Sequence, residues 1–543
     1  MAMTDQEASS PLYRPPRPLP FELIQHVGIF FEEKLYTQAL NLLLNILTTG
    51  TVFPTPVFVP TPQHLAVAAT FLVHPSTTTR AKSAEEEAAP IASLRLLRLT
   101  NTLVGPVAAN LGAAFAFTHF EASRHGRRRR AEDEHLSDDD SKLVNLDLAQ
   151  SASVWSRAED FWHVVGWAFN CSVLHRERWE PWQTWLEFMC EVLEDDWNER
   201  LRMSERQHTS SESADEDVSG ILKTSLVCRY ITETAAGYGR NRRILRAIFA
   251  DGGSTSVNEF REVFHRELKK PKQEDKNKNT KKREVQVNID EEEFGDYLND
   301  DEESSDDPDS TTKRPTRQTK RPRRGTRGAK TNDASDAQSP VTCALSDVSS
   351  YGGFQSLALR QRLLNLLSNV SQALPETFIS LEELYHLFAE NVRHLPLPVF
   401  QSFISPTALP YFHPSARTTL CEFLLFRMRE HAAPDTDEEY LNQTKLEQCF
   451  LPYAASSTSA IDNAKMSFIL ETLLMLLANS DMLTVTPELK EAVEEGIEAR
   501  AHKAQTESKR SQNSRKAEDA EWSWLLESGE RLRFLVDEIL PQA

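Results

Sequence analysis

The sequence predicts an all-α fold: two irregular helical bundles, or helical-repeat-like bodies, joined by a long disordered charged linker. Three observations carry that prediction. Glycine is scarce, at 18 of 543 residues, about half the usual share of roughly 7%, so the chain lacks the turn residues that many short strands need. Apolar residues recur at three- and four-residue steps in both ends of the chain, the period of a helix face. Between those ends, from about residue 269 to 350, polar runs and blocks of like charge take over. Such a segment buries too little apolar surface to offset the entropy of ordering.

The expected organisation follows. Residues 1–18, with four prolines, are read as a disordered N-terminus. An N-terminal helical domain spans 19–268, with loops at 124–142 and 204–217. The charge-block linker covers 269–350, and a C-terminal helical domain covers 351–543.

In the N-terminal domain, Phe21–Lys34 and Tyr36–Leu47 read as two amphipathic helices of an antiparallel hairpin. Tyr36 and Ala39, with Phe30 one turn back, resemble the spacing of a tetratricopeptide unit. No second copy follows at about 34 residues, so no repeat array is implied. A proline-punctuated connector (TVFPTPVFVPTP) comes next. Thr61 then serves as an N-cap, with Pro62 at the first helical position, and opens a helix over Gln63–Val73. Helices are expected over Ala84–Leu103 and Val107–Phe120, broken at Gly105-Pro106. Seven of the nine tryptophans follow between Trp155 and Trp197, and from Pro181 onward Trp182, Trp185, Leu186, Met189, Leu193, Trp197 and Leu201 keep helical spacing.

In the C-terminal domain, Leu363, Leu366, Leu367, Val370 and Leu374 mark one face of a helix. Ser380 and Glu383 form a capping-box pattern before Leu384, Leu387 and Phe388. Leu420–Met428 and Met466–Leu477 are apolar nearly all round, which places them at the centre of a bundle. Thr486-Pro487 starts an acidic helix, and Trp522 to Leu540 makes a last amphipathic one. Val285–Ile289 and Thr484–Val485 are the strand-like scraps.

The motifs of common chemistries are missing from the sequence. It holds no HExxH, no GxxxxGK[ST] and no GxSxG, and the glycines of Gly237-Tyr238-Gly239 lack the third glycine of a dinucleotide loop. The six cysteines never come closer than 19 apart, so no CxxC redox or zinc motif exists. Carboxylate pairs such as Glu194 with Asp195 read as solvated neighbours on a helix surface. The expectation is therefore a non-catalytic protein, with no catalytic, cofactor-binding or metal residues assigned. The longest apolar stretch, Leu103 to Phe117, is shorter than the roughly 20 residues a membrane span needs. The acidic start MAMTDQEASS has no secretory core. No membrane partner is expected.

What the sequence offers instead is surfaces and charge. The formal net charge is −20. Residues 351–543 carry 17 basic and 27 acidic residues and 269–350 carry 17 and 18, which leaves 27 and 36 for 1–268. Both domains are acidic, so they repel nucleic acid, and any such contact is expected to be weak and through the basic part of the linker or the local patch Arg240–Arg246. In the linker, Asp290–Asp309 has twelve acidic residues in twenty, and Lys313–Lys330 has nine basic residues and no acidic one. Within the basic run, Lys320, Arg321, Arg323 and Arg324 (KRPRR) have the density of a nuclear-import signal, with the arginine run Arg127–Arg130 a second candidate. Val285, Val287 and Ile289, followed by acids, resemble a SUMO-interacting motif, in which a short strand adds to a sheet edge. In the tryptophan cluster, Trp179, Trp182 and Trp185 are candidate partner-binding residues, because tryptophan is enriched at binding hot spots. Trp179, beside Pro181 at an expected helix start, is the expected exposed member. Together these features point to the nucleus and to a scaffold or adaptor subunit of a multiprotein complex, acting in chromosome maintenance, DNA repair or chromatin and transcription regulation. Its expected partners are the other subunits, an import receptor, and SUMO or histones. An acidic carrier of basic proteins such as histones is the alternative, and an enzyme without a recognisable motif is the second.

Overall fold

The computed structural model describes residues 13–49, 55–118, 144–208, 215–234, 239–269, 347–435, 440–508 and 515–540. These are overwhelmingly helical, as the sequence predicts, with one small strand pair. The described residues before 270 and after 346 pack into one compact unit with a continuous apolar core.

The chain opens with strand β1 (Pro16–Pro18), which pairs in parallel with β2 (Val57–Val59). Residues 13–18 are thus ordered, where a loose terminus was expected. Arg14 is buried and anchors them, its Nε donating to Thr55 O at 3.0 Å and its backbone N–H to Leu103 O at 2.8 Å. The predicted hairpin is present as α1 (Phe21–Glu32) and α2 (Tyr36–Thr48). Lys34, at φ 57°, lets Leu35 N–H reach back to Phe30 O at 2.8 Å and close α1. α2 buries Tyr36, Ala39, Leu40, Leu43 and Leu47, a stripe at helical spacing.

Local capping signals are realised where the side chains can reach. Thr61 accepts from His64 N–H at the start of α3 (Pro62–Phe71), and Ser83 accepts from Glu86 N–H at the start of α4 (Ala84–Val104). α4 stops at Gly105, φ +84°, where a Cβ would lie 2.6 Å from the Tyr13 ring. The helix expected over Val107–Phe120 does not form. Asn110 adopts φ 53°, and only the single turn α5 (Leu111–Ala114) follows. The Gly105-Pro106 pair and the left-handed Asn110 divide that apolar run into turns.

After the short α6 (Val154–Arg157), two helices fill the middle of the N-terminal half. α7 (Phe161–Leu174) starts at the Asp160 cap and buries every residue from Phe161 to Cys171. α8 (Arg176–His208) carries Pro181 in its second turn and runs further than expected, so residues 204–208 are helix and not loop. The half is completed by α9 (Asp215–Lys223), α10 (Leu226–Thr232), α11 (Arg240–Ile248) and α12 (Ser254–Glu259).

The C-terminal half opens with α13 (Gly353–Ala373) and the Ser380-capped α14 (Leu381–Val392), followed by α15 (Leu397–Ile404), α16 (Pro414–Met428) and α17 (Gln443–Cys449). Its central rod is α18 (Ala460–Asn479), which packs against α15, α16, α19 (Pro487–Ser508) and α20 (Arg515–Phe534). The expectation for Met466–Leu477 is met by this covered helix. Leu420–Met428 differs: α16 buries Leu420, Cys421, Leu424, Leu425 and Met428 on one side and leaves Phe426 exposed. Phe426 instead meets the buried Phe450 ring edge to face, 5.1 Å between centroids, and lies 4.7 Å from the Arg429 guanidinium. Thr486 caps α19, accepting from Leu489 N–H at 3.2 Å. At Gly496 on that helix a Cβ would lie 1.8 Å from Leu451 O, so only glycine permits this approach. α20 gives way to a π-helical turn, Leu535–Ile539. No helix of the described residues is long and apolar enough to cross a membrane.

Candidate functional site

The tryptophan cluster is core. Trp182 and Trp185 are fully buried, and Trp179 is only 6% exposed, so none of the three offers a binding surface. The expected exposure of Trp179 fails because α8 begins at Arg176, five residues before Pro181. That start turns the Trp179 ring toward Phe169, 6.2 Å away between centroids. Four of the indoles find partners inside, while the buried Trp185 Nε1 has none among the described residues: Trp155 donates to Ala66 O at 3.1 Å and Trp162 to Tyr230 O at 3.0 Å. Trp167 and Trp182 both donate to the Glu267 carboxylate, at 3.0 and 2.7 Å.

Glu267 is the polar centre of this region, and nothing in the sequence marked it. Besides the two indoles it accepts both Arg178 Nε, at 2.8 Å, and Arg178 Nη2. Arg178 also donates to Val73 O and Thr78 Oγ1, and both members of the ion pair are buried. A buried pair of this kind is stable only when the remaining lone pairs and protons are satisfied, and here Glu267 uses both oxygens.

The acidic run of α8 is a hub and not a solvated face. Glu191 binds Arg98 of α4, Asp195 accepts from Asn101 Nδ2, and Glu199 accepts from Val107 N–H. Asp196 accepts from Leu226 N–H at the start of α10, and Glu194 holds Arg362 of α13 at 2.8 and 2.6 Å. Five carboxylates on one helix thereby fix four neighbouring segments. Burial raises the Asp195, Asp196 and Glu199 carboxyls above their ordinary values, and their hydrogen-bond donors pull the other way.

The basic patch Arg240–Arg246 is largely neutralised. Arg243 pairs with Glu159 and Asp160, Arg246 with Glu259 at 2.7 Å, and Arg242 with Glu390 at 3.7 Å. Three of its four arginines thus already face carboxylates. Four buried thiols are held protonated: burial raises Cys171 and Cys228, and pushes Cys190 and Cys421 up to about 12. Thiols in such surroundings are poor nucleophiles. Among the described residues no group of histidines, cysteines and carboxylates is arranged to hold a metal ion.

An open cleft of about 310 Å³ lies between α15, α18 and α20. Ile404, Phe468, Met475 and Leu535 line it, the Glu471–Arg531 ion pair crosses it, and Phe534 and Ile539 stand exposed on its rim. Phe534 ends α20, and the π-helical turn that follows places Ile539. Sequence periodicity did not reveal this cleft, because a helix pattern over Trp522–Leu540 predicts regular geometry to the end.

The import-like residues Lys320, Arg321, Arg323 and Arg324, the strand-addition residues Val285, Val287 and Ile289, and the run Arg127–Arg130 lie outside the described residues. The chain matches no protein-family model, and no curated protein matches it.

Proposed function

We propose that the chain is a non-catalytic helical scaffold or adaptor subunit of a nuclear multiprotein complex, serving chromosome maintenance, DNA repair or chromatin and transcription regulation. The observation that carries this reading is the cluster Lys320, Arg321, Arg323 and Arg324, set in a run of nine basic residues with no acid. Basic clusters of that density are read by import receptors. The helical body supports the reading in a second way. Its most concentrated ionisable groups, on α8 and α11, are engaged in internal pairs that fix the fold, which suits a body that presents surfaces. The apolar rim of the cleft between α15, α18 and α20 is one such surface. Val285, Val287 and Ile289 offer SUMO a strand to pair with, and nucleic acid is met only weakly, through Lys313–Lys330. Replacing the four import-like residues by alanine moves a fluorescent fusion from nucleus to cytoplasm. Unchanged nuclear accumulation of that variant overturns the reading.

A second reading rests on the acidic block Asp290–Asp309: a carrier of basic proteins such as histones. In that case, deleting the block abolishes histone binding in moderate salt, and retained binding removes the carrier.

A further inference from the structure

The two halves of the chain meet through contacts that need nothing from the segment between them. At the centre is Arg360 of α13, completely buried although it carries a full charge. Its Nη1 donates to Ile248 O and its Nη2 to Ala250 O at 2.8 Å, while Tyr351 Oη donates to Phe249 O at 2.8 Å. Three successive carbonyls at the C-terminal end of α11, where the helix ladder no longer supplies donors, are thus satisfied by the other half. A cation there also meets the negative end of the helix dipole.

The guanidinium lies between two rings, 4.0 Å from the Phe169 centroid and 4.4 Å from that of Tyr351. Burial lowers Arg360 to about 10, which leaves it charged at neutral pH. Around this centre, Arg362 grips Glu194 with two bonds, Ser356 Oγ lies 3.3 Å from Ser172 Oγ, and Phe249 packs against Phe403. The halves approach so closely that a Cβ at Gly352, φ +83°, would lie 2.3 Å from Ser172 Oγ. Apart from the Arg360–Tyr351 contact, which lies within the C-terminal half, each of these contacts joins residues of 169–250 to residues of 351–403.

We propose that the face carrying Tyr351, Arg360 and Arg362 is a docking surface whose partner is the N-terminal half itself, and that the two halves stay together as a 1:1 pair when the chain between them is cut. Binding, modification or cleavage within residues 270–346 then leaves that paired body closed. This goes beyond the nuclear reading and does not depend on it.

The test uses the full chain with a specific protease site placed inside 270–346. After cleavage, the two fragments of the wild type co-elute at micromolar concentration as one species of the intact mass, 61.7 kDa. Separate fragments, a precipitate or a higher assembly overturn the proposal. Arg360→Met strips two carbonyls of their donors and weakens the cut pair by at least about a hundredfold, so its fragments separate. Uncut, the same variant stays closed, because a joined chain supplies a millimolar effective concentration. If Arg360→Met does not fold uncut, Arg362→Ala decides. Its ion pair sits at the partly exposed edge, and its loss weakens the cut pair by about tenfold with the circular dichroism of the uncut chain unchanged. A cut Arg362→Ala pair as tight as the wild type also overturns the assignment.

Discussion

The Glu267→Ala variant unfolds at a lower urea concentration than the wild type, with its unfolding free energy reduced by about 3–5 kcal/mol. The reason is what alanine leaves behind. Arg178 keeps its bonds to Val73 O and Thr78 Oγ1 but loses its paired carboxylate, and its side chain is buried. The Trp167 and Trp182 N–H groups and Phe264 N–H lose their acceptor in the same step. An unpaired buried charge costs far more than a lost surface bridge, which is worth about 0–1 kcal/mol. Glu267 also holds the segment of residues 260–267 against α7 and α8, where Phe264 stacks on Trp182 and Phe260 fits over Gly166. Losing that hold exposes the indoles, so the native tryptophan emission shifts to the red. Glu267→Gln retains one acceptor oxygen and falls between alanine and wild type. A Glu267→Ala protein within 1 kcal/mol of the wild type contradicts the account.

Features that depend on near neighbours in the sequence were legible. Thr61, Ser380 and Thr486 each cap the helix they precede, because the donor lies three residues on. The α2 stripe and the covered α18 were legible for the same reason, since both are written in a repeating local pattern. Glu194 and Arg362 are 168 residues apart, and no spacing rule connects them. The acid run of α8 therefore read as a solvated face although it is the hub of the N-terminal half. Arg360 did leave a trace. It falls three and four residues before Leu363 and Leu364, on the apolar stripe of α13, and a charge on a buried stripe demands a partner. Trp179 was misplaced by a boundary: proline is common at the start of a helix, yet Pro181 sits in the second turn of α8. Val107–Phe120 shows the reverse error, apolar content taken for periodicity. The proposed function rests mainly on residues 285–330, whose chemistry lies in composition and not in packing.

The wild-type protein loses stability as the pH falls from about 6.5 to 4, and His64→Leu removes a defined share of that loss. His64 is fully buried on α3 beside Phe31, and among the described residues neither ring nitrogen has a hydrogen-bond partner. Burial alone lowers it from 6.5 to about 4. Above pH 6.5 the ring is neutral in both the folded and the unfolded chain, so protons do not affect the balance. Below 6.5 the unfolded chain takes up a proton that the native state refuses. Stability then falls by about 1.4 kcal/mol per pH unit until the native ring titrates, about 3 kcal/mol in all. His74 adds to the loss, lowered to about 4 by burial first and then by Arg178, Arg80 and Arg157. Leucine at position 64 has no proton to take up and no orphaned nitrogen. At pH 7 the variant is more stable than wild type by about 1–2 kcal/mol, the cost of an unsatisfied buried polar group. At pH 5 the margin is wider by a further 2 kcal/mol or so. Urea midpoints measured from pH 7.5 to 4.5 check both figures. Parallel curves for the two proteins would mean that the His64 proton is taken up equally by the folded and unfolded chains, and that the ring is not buried as described.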